Sequence, residues 1–194
     1  MPPIGIHFPF LRSRALTGSP SALPNLTLVT GGARSGKSTW AEGLAVQSHR
    51  PRRYIATAQA FDTEMADRIA HHRAQRGADW LTIEAPLDLC GALAAAQPEE
   101  VVLVDCLTLW LTNHLLAGHD LAAESDALLH ALPHCAAPLI LVTNEVGWGI
   151  VPDNALARAF RDEQGRLNQR LAAASGLVVA VLCGLPLALK GHLP

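Results

Sequence analysis

Residues 26–42 read LTLVTGGARSGKSTWAE, and the rest of the chain is read outward from them. An apolar run (26–30) meets the spacing Gly31-x-x-x-x-Gly36-Lys37-Ser38, and a helical pattern runs from Lys37 to about Ser48. Strand, glycine-rich loop and helix form the context in which this spacing binds phosphate. The glycines, Gly31, Gly32 and Gly36, let the backbone N–H groups of the loop, which also holds Ala33, Arg34 and Ser35, turn inward around phosphate oxygens. The helix N-terminus adds partial positive charge. Lys37 is expected to reach the β and γ phosphates, and the Ser38 hydroxyl to ligate Mg²⁺. The competing reading is a glycine-rich turn followed by an ordinary surface lysine.

Around this loop, short apolar runs alternate with longer helical patterns. LTLVT (26–30), RYIAT (53–57), VVLVD (101–105), LILVT (139–143) and LVVAVLC (177–183) are apolar on both faces, as central strands of a parallel sheet are. Helices are predicted over residues 37–48, 63–76, 87–96, 107–116, 121–132 and 154–174. The alternation predicts one α/β domain over residues 25–194, with no internal repeat.

Two segments need separate treatment. MPPIGIHFPFLRSRALTGSPSALP (1–24) places its basic residues after a proline-interrupted apolar run, the reverse of a signal peptide, and reads as a poorly ordered extension. LAAASGLVVAVLCGLPLAL (171–189) is uncharged and long enough to cross a bilayer. Gly176, Gly184 and Pro186 interrupt it, so it reads as a helix end, a glycine cap and a buried strand, not a membrane span.

The composition suits a globular domain: 194 residues, 49% hydrophobic and 16% charged. A net charge of −2 provides no global field for nucleic acid or acidic membranes. Any anion site must therefore be built locally. Cys90, Cys106, Cys135 and Cys183 are widely spaced and read as buried free thiols in a reducing cytoplasm.

A phosphate loop usually works with a carboxylate on a neighbouring strand. Asp105 closes the run VVLVD, where it would serve Mg²⁺ or its water; a helix-capping role is the alternative. Glu145, after LILVTN, could polarise a water or a substrate hydroxyl, or have no such role. A regulatory GTPase would need Asn-Lys-x-Asp, and the chain contains no Asn-Lys pair. Its D-x-x-G motif matches at 88–91 and 162–165, but neither match follows a predicted strand.

RIAHHRAQR (68–76) sets His71 and His72 among Arg68, Arg73 and Arg76. On a helix, His72 shares a stripe with Met65 and Ile69, while His71 lies with Glu64, Asp67, Arg68 and Gln75. Adjacent helical residues diverge by about 100°, which disfavours a shared metal. Periodicity leaves a solvated face and an anion site equally open.

LVTGGARSGKSTWAE, YIATAQAFDTEMADRIAHHRAQRGADWLTIEAP, VVLVDCLTLWLTN and LVTNEVGWGIVPDNALARAFRDEQGRLNQRLAA together resemble the bifunctional adenosylcobinamide kinase / adenosylcobinamide-phosphate guanylyltransferase family of cobalamin biosynthesis. The resemblance spans about Leu26 to Lys190. It implies a three-layer P-loop NTPase fold, RecA-like, with a mostly parallel central sheet, and a homo-oligomer, a trimer in the family. It implies phosphorylation of adenosylcobinamide by GTP or ATP with Mg²⁺. GMP transfer to adenosylcobinamide phosphate would then proceed through a histidine phosphoramidate, with His71 as the matching nucleophile. The arginines would stabilise charge developing at the α-phosphate and pyrophosphate, and would keep the imidazole unprotonated. Nucleotide contacts are implied at residues 31–38, at Ala56, Thr57 and Ala58, at His72, Arg73, Ala74 and Gln75, at Glu84 and at Asp105. Ala58 stands where relatives often have Ser. One loop serving attack at both phosphorus centres implies that the His71 helix moves between reactions. Trp40, Trp80, Trp110 and Trp148 read as core or interface residues before corrinoid contacts.

Two other readings compete: a single-activity small-molecule kinase in which His71 only touches phosphate, and a RecA-type ATPase subunit, which would need an arginine finger supplied in trans.

Overall fold

The computed structural model of the chain describes residues 23–59 and 79–194. Its strands are β1 (Leu26–Gly31), β2 (Arg52–Ala56), β3 (Trp80–Glu84), β4 (Val101–Asp105), β5 (Leu139–Asn144), β6 (Leu177–Leu182) and β7 (Leu185–Lys190). They form one sheet in the order β3-β2-β4-β5-β1-β6-β7, parallel throughout except for the antiparallel β6–β7 pair. The helices are α1 (Lys37–Gln47), α2 (Leu89–Ala94), α3 (Leu107–Leu116), α4 (Leu121–Ala131) and α5 (Ala155–Ala174), with a 3₁₀ turn at Leu132–His134. No helix among the described residues is long and apolar enough to cross a membrane.

The strands that read as apolar on both faces are covered on both, because their side chains alternate between two cores. Leu28, Ile55, Val102, Val104, Leu139 and Leu141 pack on one face with α2, α3, α4 and α5. Val29, Tyr54, Val101, Leu103, Ile140, Val142, Val179 and Val181 pack on the other with Ala41, Leu44 and Ala45 of α1. Helices on both faces of a mostly parallel sheet give the three layers expected. Leu23 already packs against the second core. Residues 1–22 and the helix predicted at 63–76 lie outside the described residues.

Three local expectations need correcting. Strands β3 and β7 fall in stretches not assigned as strands. Both lie at sheet edges, so neither shows the two-sided apolar run of a central strand: Leu81 is 51% exposed, and Leu185, Leu187 and Leu189 are exposed. Pro186 is tolerated because an edge strand need not donate on its outer side. Gly176 is not a left-handed cap. Helix α5 ends with Ser175 extended and its hydroxyl donating to the Leu171 carbonyl, 2.7 Å away. The four thiols are free, yet only Cys106 is buried; Cys90 and Cys135 are half-buried and Cys183 is exposed.

Candidate active site

The loop between β1 and α1 owes its shape to left-handed backbone at two positions and to a glycine that has no room for a side chain. Gly36 takes φ 92°, and Arg34 takes φ 57°, a left-handed conformation uncommon outside glycine. A Cβ on Gly31 would lie 2.6 Å from both the Ser35 Oγ and the Val181 carbonyl oxygen, so that position has no room for any larger residue. The Ser35 N–H donates to the Gly32 carbonyl (3.3 Å), and the Trp40 N–H donates to the Gly36 carbonyl (3.0 Å), opening α1. Among the described residues no side chain caps the start of α1, which leaves its first N–H groups available to an anion. The Lys37 Nζ bends back to donate to the Gly32 carbonyl at 3.3 Å, placing the ammonium over the loop. The Ser35 Oγ is buried with no hydrogen-bond partner among the described residues.

The β6–β7 hairpin supports the loop from behind. Its two turn residues, Cys183 (φ 52°) and Gly184 (φ 80°), are both left-handed, as a two-residue turn that follows the strand twist requires. The Gly184 N–H donates to the Ser35 carbonyl at 2.8 Å.

The register of the sheet brings the other candidates to the same edge. Ala56 pairs with Glu84 on one side and Asp105 on the other, Asp105 with Val142, and Gly31 with Asn144. Glu84, Ala56, Thr57, Asp105 and Gly31–Ser38 therefore all lie at the C-terminal ends of parallel strands, where ligands of open α/β sheets bind. The Tyr54 hydroxyl donates to the Asp105 Oδ2 at 3.2 Å; Oδ1 has no hydrogen-bond partner among the described residues. Glu145 joins the edge through its N–H, which donates to the Gly31 carbonyl (3.1 Å), while its Oε1 accepts from the Gly147 N–H. Ala58 lies just past β2. His71, His72, Arg73, Ala74 and Gln75 lie outside the described residues.

Sequence reading missed the polar residues that hold these strand ends. Asn113 on α3 is 3% exposed, and its Nδ2 donates to the carbonyls of Thr57 (2.7 Å) and Pro86 (2.9 Å). The Thr57 hydroxyl donates to the Cys106 carbonyl at 2.8 Å. On α5, the fully buried Gln164 donates to the Thr143 Oγ1 (3.1 Å) and the Asn168 Oδ1 (2.9 Å). The Asn168 Nδ2 in turn donates to the Asn144 carbonyl, and the Thr108 hydroxyl accepts from the Asn144 N–H. The available signal was polar residues at core-facing spacing: Thr108 and Asn113 inside the apolar LTLWLTNHLL, and Gln164 and Asn168 beside Leu167 and Leu171.

Burial, followed by the neighbouring Asp105 charge, pushes the Cys106 thiol up to about 11. Of the tryptophans, Trp110 is buried and donates its indole N–H to the Leu87 carbonyl, and Trp80 packs edge-on against Tyr54. Trp148 is 79% exposed, which excludes the core half of the core-or-interface expectation and leaves the interface half.

With this geometry in place, the family model for cobinamide kinase / cobinamide phosphate guanyltransferase matches residues 27–189. The chain is 50% identical over 168 residues to the bifunctional adenosylcobalamin biosynthesis protein CobP of Pseudomonas aeruginosa, covering 85% of this chain and 97% of that protein. It is 45% identical over 181 residues to the bifunctional adenosylcobalamin biosynthesis protein CobU of Escherichia coli K12, covering 85% and 99%. A Pyrococcus horikoshii protein of solved structure shares the fold at a TM-score of 0.52 and 9% identity, over 89% of each chain. The fold is a three-layer α/β one, a mostly parallel sheet with a phosphate loop after its first strand, and the chain belongs to the cobinamide kinase / cobinamide phosphate guanyltransferase family.

Proposed function

We propose that this chain phosphorylates adenosylcobinamide with GTP or ATP and then transfers GMP to the product, giving adenosylcobinamide-GDP in cobalamin biosynthesis. The observation that carries the reading is the uncapped, lysine-bearing loop 31–38 on the same sheet edge as Asp105, in a chain of this family. In the kinase step the substrate hydroxyl attacks the γ-phosphorus, the bond from that phosphorus to the bridging oxygen breaks, and the nucleoside diphosphate leaves. The loop amides and Lys37 hold the phosphate oxygens and offset the charge that develops on them.

Ser38, in the first turn of α1, and Asp105, with one carboxylate oxygen unpartnered among the described residues, form an oxygen donor set that fits Mg²⁺. When bound there, the ion screens phosphate charge. In the transferase step, the His71 imidazole attacks the α-phosphorus of GTP, pyrophosphate leaves, and the phosphate of the acceptor then takes GMP from the histidine. His72, Arg73, Ala74, Gln75, Ala56, Thr57, Ala58 and Glu84 complete the nucleotide contacts in this reading. The enzyme acts in the cytoplasm as a homo-oligomer.

The test uses GTP labelled at the α-phosphate, with Mg²⁺ and no corrinoid. Protein is denatured at alkaline pH and then acidified. The expected result is label that survives denaturation, is lost in acid and is missing from His71→Ala. An unlabelled wild-type protein would overturn the transferase half and leave a single-activity kinase.

A further inference from the structure

One group of side chains outside the nucleotide edge is arranged as ligands. His114 lies in the last turn of α3, His119 in the connecting loop, and Glu124 in the first turn of α4. The loop folds back through Gly118 (φ 75°), and the His119 N–H donates to the His114 carbonyl at 3.0 Å. As a result, the two Nδ1 atoms face each other at 2.9 Å. The Glu124 carboxylate lies 3.6 Å from the His114 Nδ1 and 3.9 Å from the His119 Nδ1. Among the described residues this is the one group of three His, Cys, Asp or Glu side chains with ligand atoms mutually within 4.8 Å.

We propose that His114, His119 and Glu124 form a binding site for a divalent transition metal with the ligand preference of zinc. Four observations support it. Two imidazole lone pairs do not face each other at 2.9 Å without a proton or a cation between them. A tetrahedral ion with bonds of about 2.0–2.1 Å spaces its ligand atoms about 3.3 Å apart; the two Nδ1 atoms are 2.9 Å apart, the Glu124 Oε2 lies 3.6 Å from the His114 Nδ1 and its Oε1 lies 3.9 Å from the His119 Nδ1, so either oxygen can serve with small adjustments. The His114 Nε2 lies 3.3 Å from the Leu87 carbonyl, so in the neutral ring it donates there and leaves Nδ1 as the lone pair aimed at the group. That outer hydrogen bond to a backbone carbonyl is the partner that metal-ligating histidines ordinarily carry. Finally, one ligand is anchored and two are reachable: the side chain of His114 is 4% exposed, against 42% for His119 and 35% for Glu124. A water completes the tetrahedron on the solvent side.

Two imidazoles and one carboxylate suit Zn²⁺ and its spectroscopic substitute Co²⁺, and suit Mg²⁺ poorly, so the site does not compete for the metal of the nucleotide edge. Bound metal ties the end of α3 to the start of α4. It thereby stiffens the helix on which Asn113 holds Thr57 and Pro86.

Chelator-stripped full-length protein, free of nucleotide and Mg²⁺, is titrated with Co²⁺ and then with Zn²⁺. The expected result is one equivalent of Co²⁺ with the absorption of a tetrahedral site, displaced by Zn²⁺. His119→Gln and Glu124→Gln, both at the surface, should each weaken Co²⁺ binding by more than about tenfold while keeping the wild-type circular dichroism spectrum. At a hundredfold excess of Zn²⁺ over its Kd, the wild-type Tm should rise by about 5–10 °C, and the variants should not follow. A wild-type protein that binds neither ion, or variants that bind as tightly as wild type, would overturn the proposal and leave a hydrogen-bonded histidine pair.

Discussion

Gly184 donates its backbone N–H to the carbonyl of Ser35 at 2.8 Å, so a hairpin turn more than 140 residues downstream helps hold the phosphate loop. The contact depends on Gly184 adopting φ 80°, a conformation that a side chain resists even though a Cβ there would meet nothing within 4 Å. Gly184→Ala should therefore cost about 1–2 kcal/mol through backbone strain alone. The expected Tm loss is about 2–8 °C, with a weaker Kd for GTP measured by calorimetry. Gly31→Ala differs in kind, because its Cβ would meet the Val181 carbonyl oxygen at 2.6 Å. It should abolish nucleotide binding in a protein that keeps its circular dichroism spectrum.

Asn113→Leu removes the donor shared by the Thr57 and Pro86 carbonyls. Leaving buried acceptors unpaired costs about 1–3 kcal/mol. A Tm loss of roughly 2–12 °C is expected by scanning calorimetry, because one kcal/mol moves a domain of this size by about 2–4 °C. Thr57 directly follows β2 at the nucleotide edge, so α-phosphate labelling should slow as well. A Tm equal to wild type would show that the two carbonyls do not depend on this amide.

Arg53 and Glu100 form a largely buried pair at 2.8 Å, and the Gln97 N–H also donates to the Glu100 carboxylate. Burial alone would raise the Glu100 carboxyl, but the hydrogen bonds from Arg53 and Gln97 and the Arg53 charge bring it below the ordinary glutamate value of 4.5. A folded carboxyl that titrates below its unfolded counterpart stabilises the fold above that value, and the contribution is lost as pH falls through the folded pKa. Glu100→Gln should cost about 1 kcal/mol at pH 7. The gap to wild type in urea unfolding should close below pH 4.5. A gap that stays constant down to acid pH would count against a depressed Glu100.

The thiols should separate by reactivity. Cys183 sits exposed on the hairpin turn, whereas Cys106 is buried and its thiol is held near 11. At pH 8 a thiol reagent should modify one cysteine quickly, Cys183→Ser should abolish that phase, and Cys106 should react only after unfolding. Fast labelling of Cys106 in the native protein would refute its burial.

These outcomes divide along the line between what was legible in the chain and what was not. The loop 31–38 was readable because glycine spacing, strand and helix are adjacent in sequence and their roles are local. The strands β1, β2, β4, β5 and β6 were readable because burial on both faces imposes an apolar run. Asp105 followed, since its position at a strand end is set by its own strand.

The edge strands β3 and β7 could not be read the same way. Their identity comes from partners: Ala56 beside Glu84, and Val181 beside Pro186. The amides of Asn113, Gln164 and Asn168 likewise look misplaced in their own helices until Thr57, Pro86, Thr143 and Asn144 arrive from other elements to meet them. Local periodicity determined the layers of this protein and its phosphate loop. Only the tertiary structure decided which hydrogen bonds hold the strand ends and which side chains meet between α3 and α4, because those partners are distant in sequence or joined by a turn that periodicity does not describe.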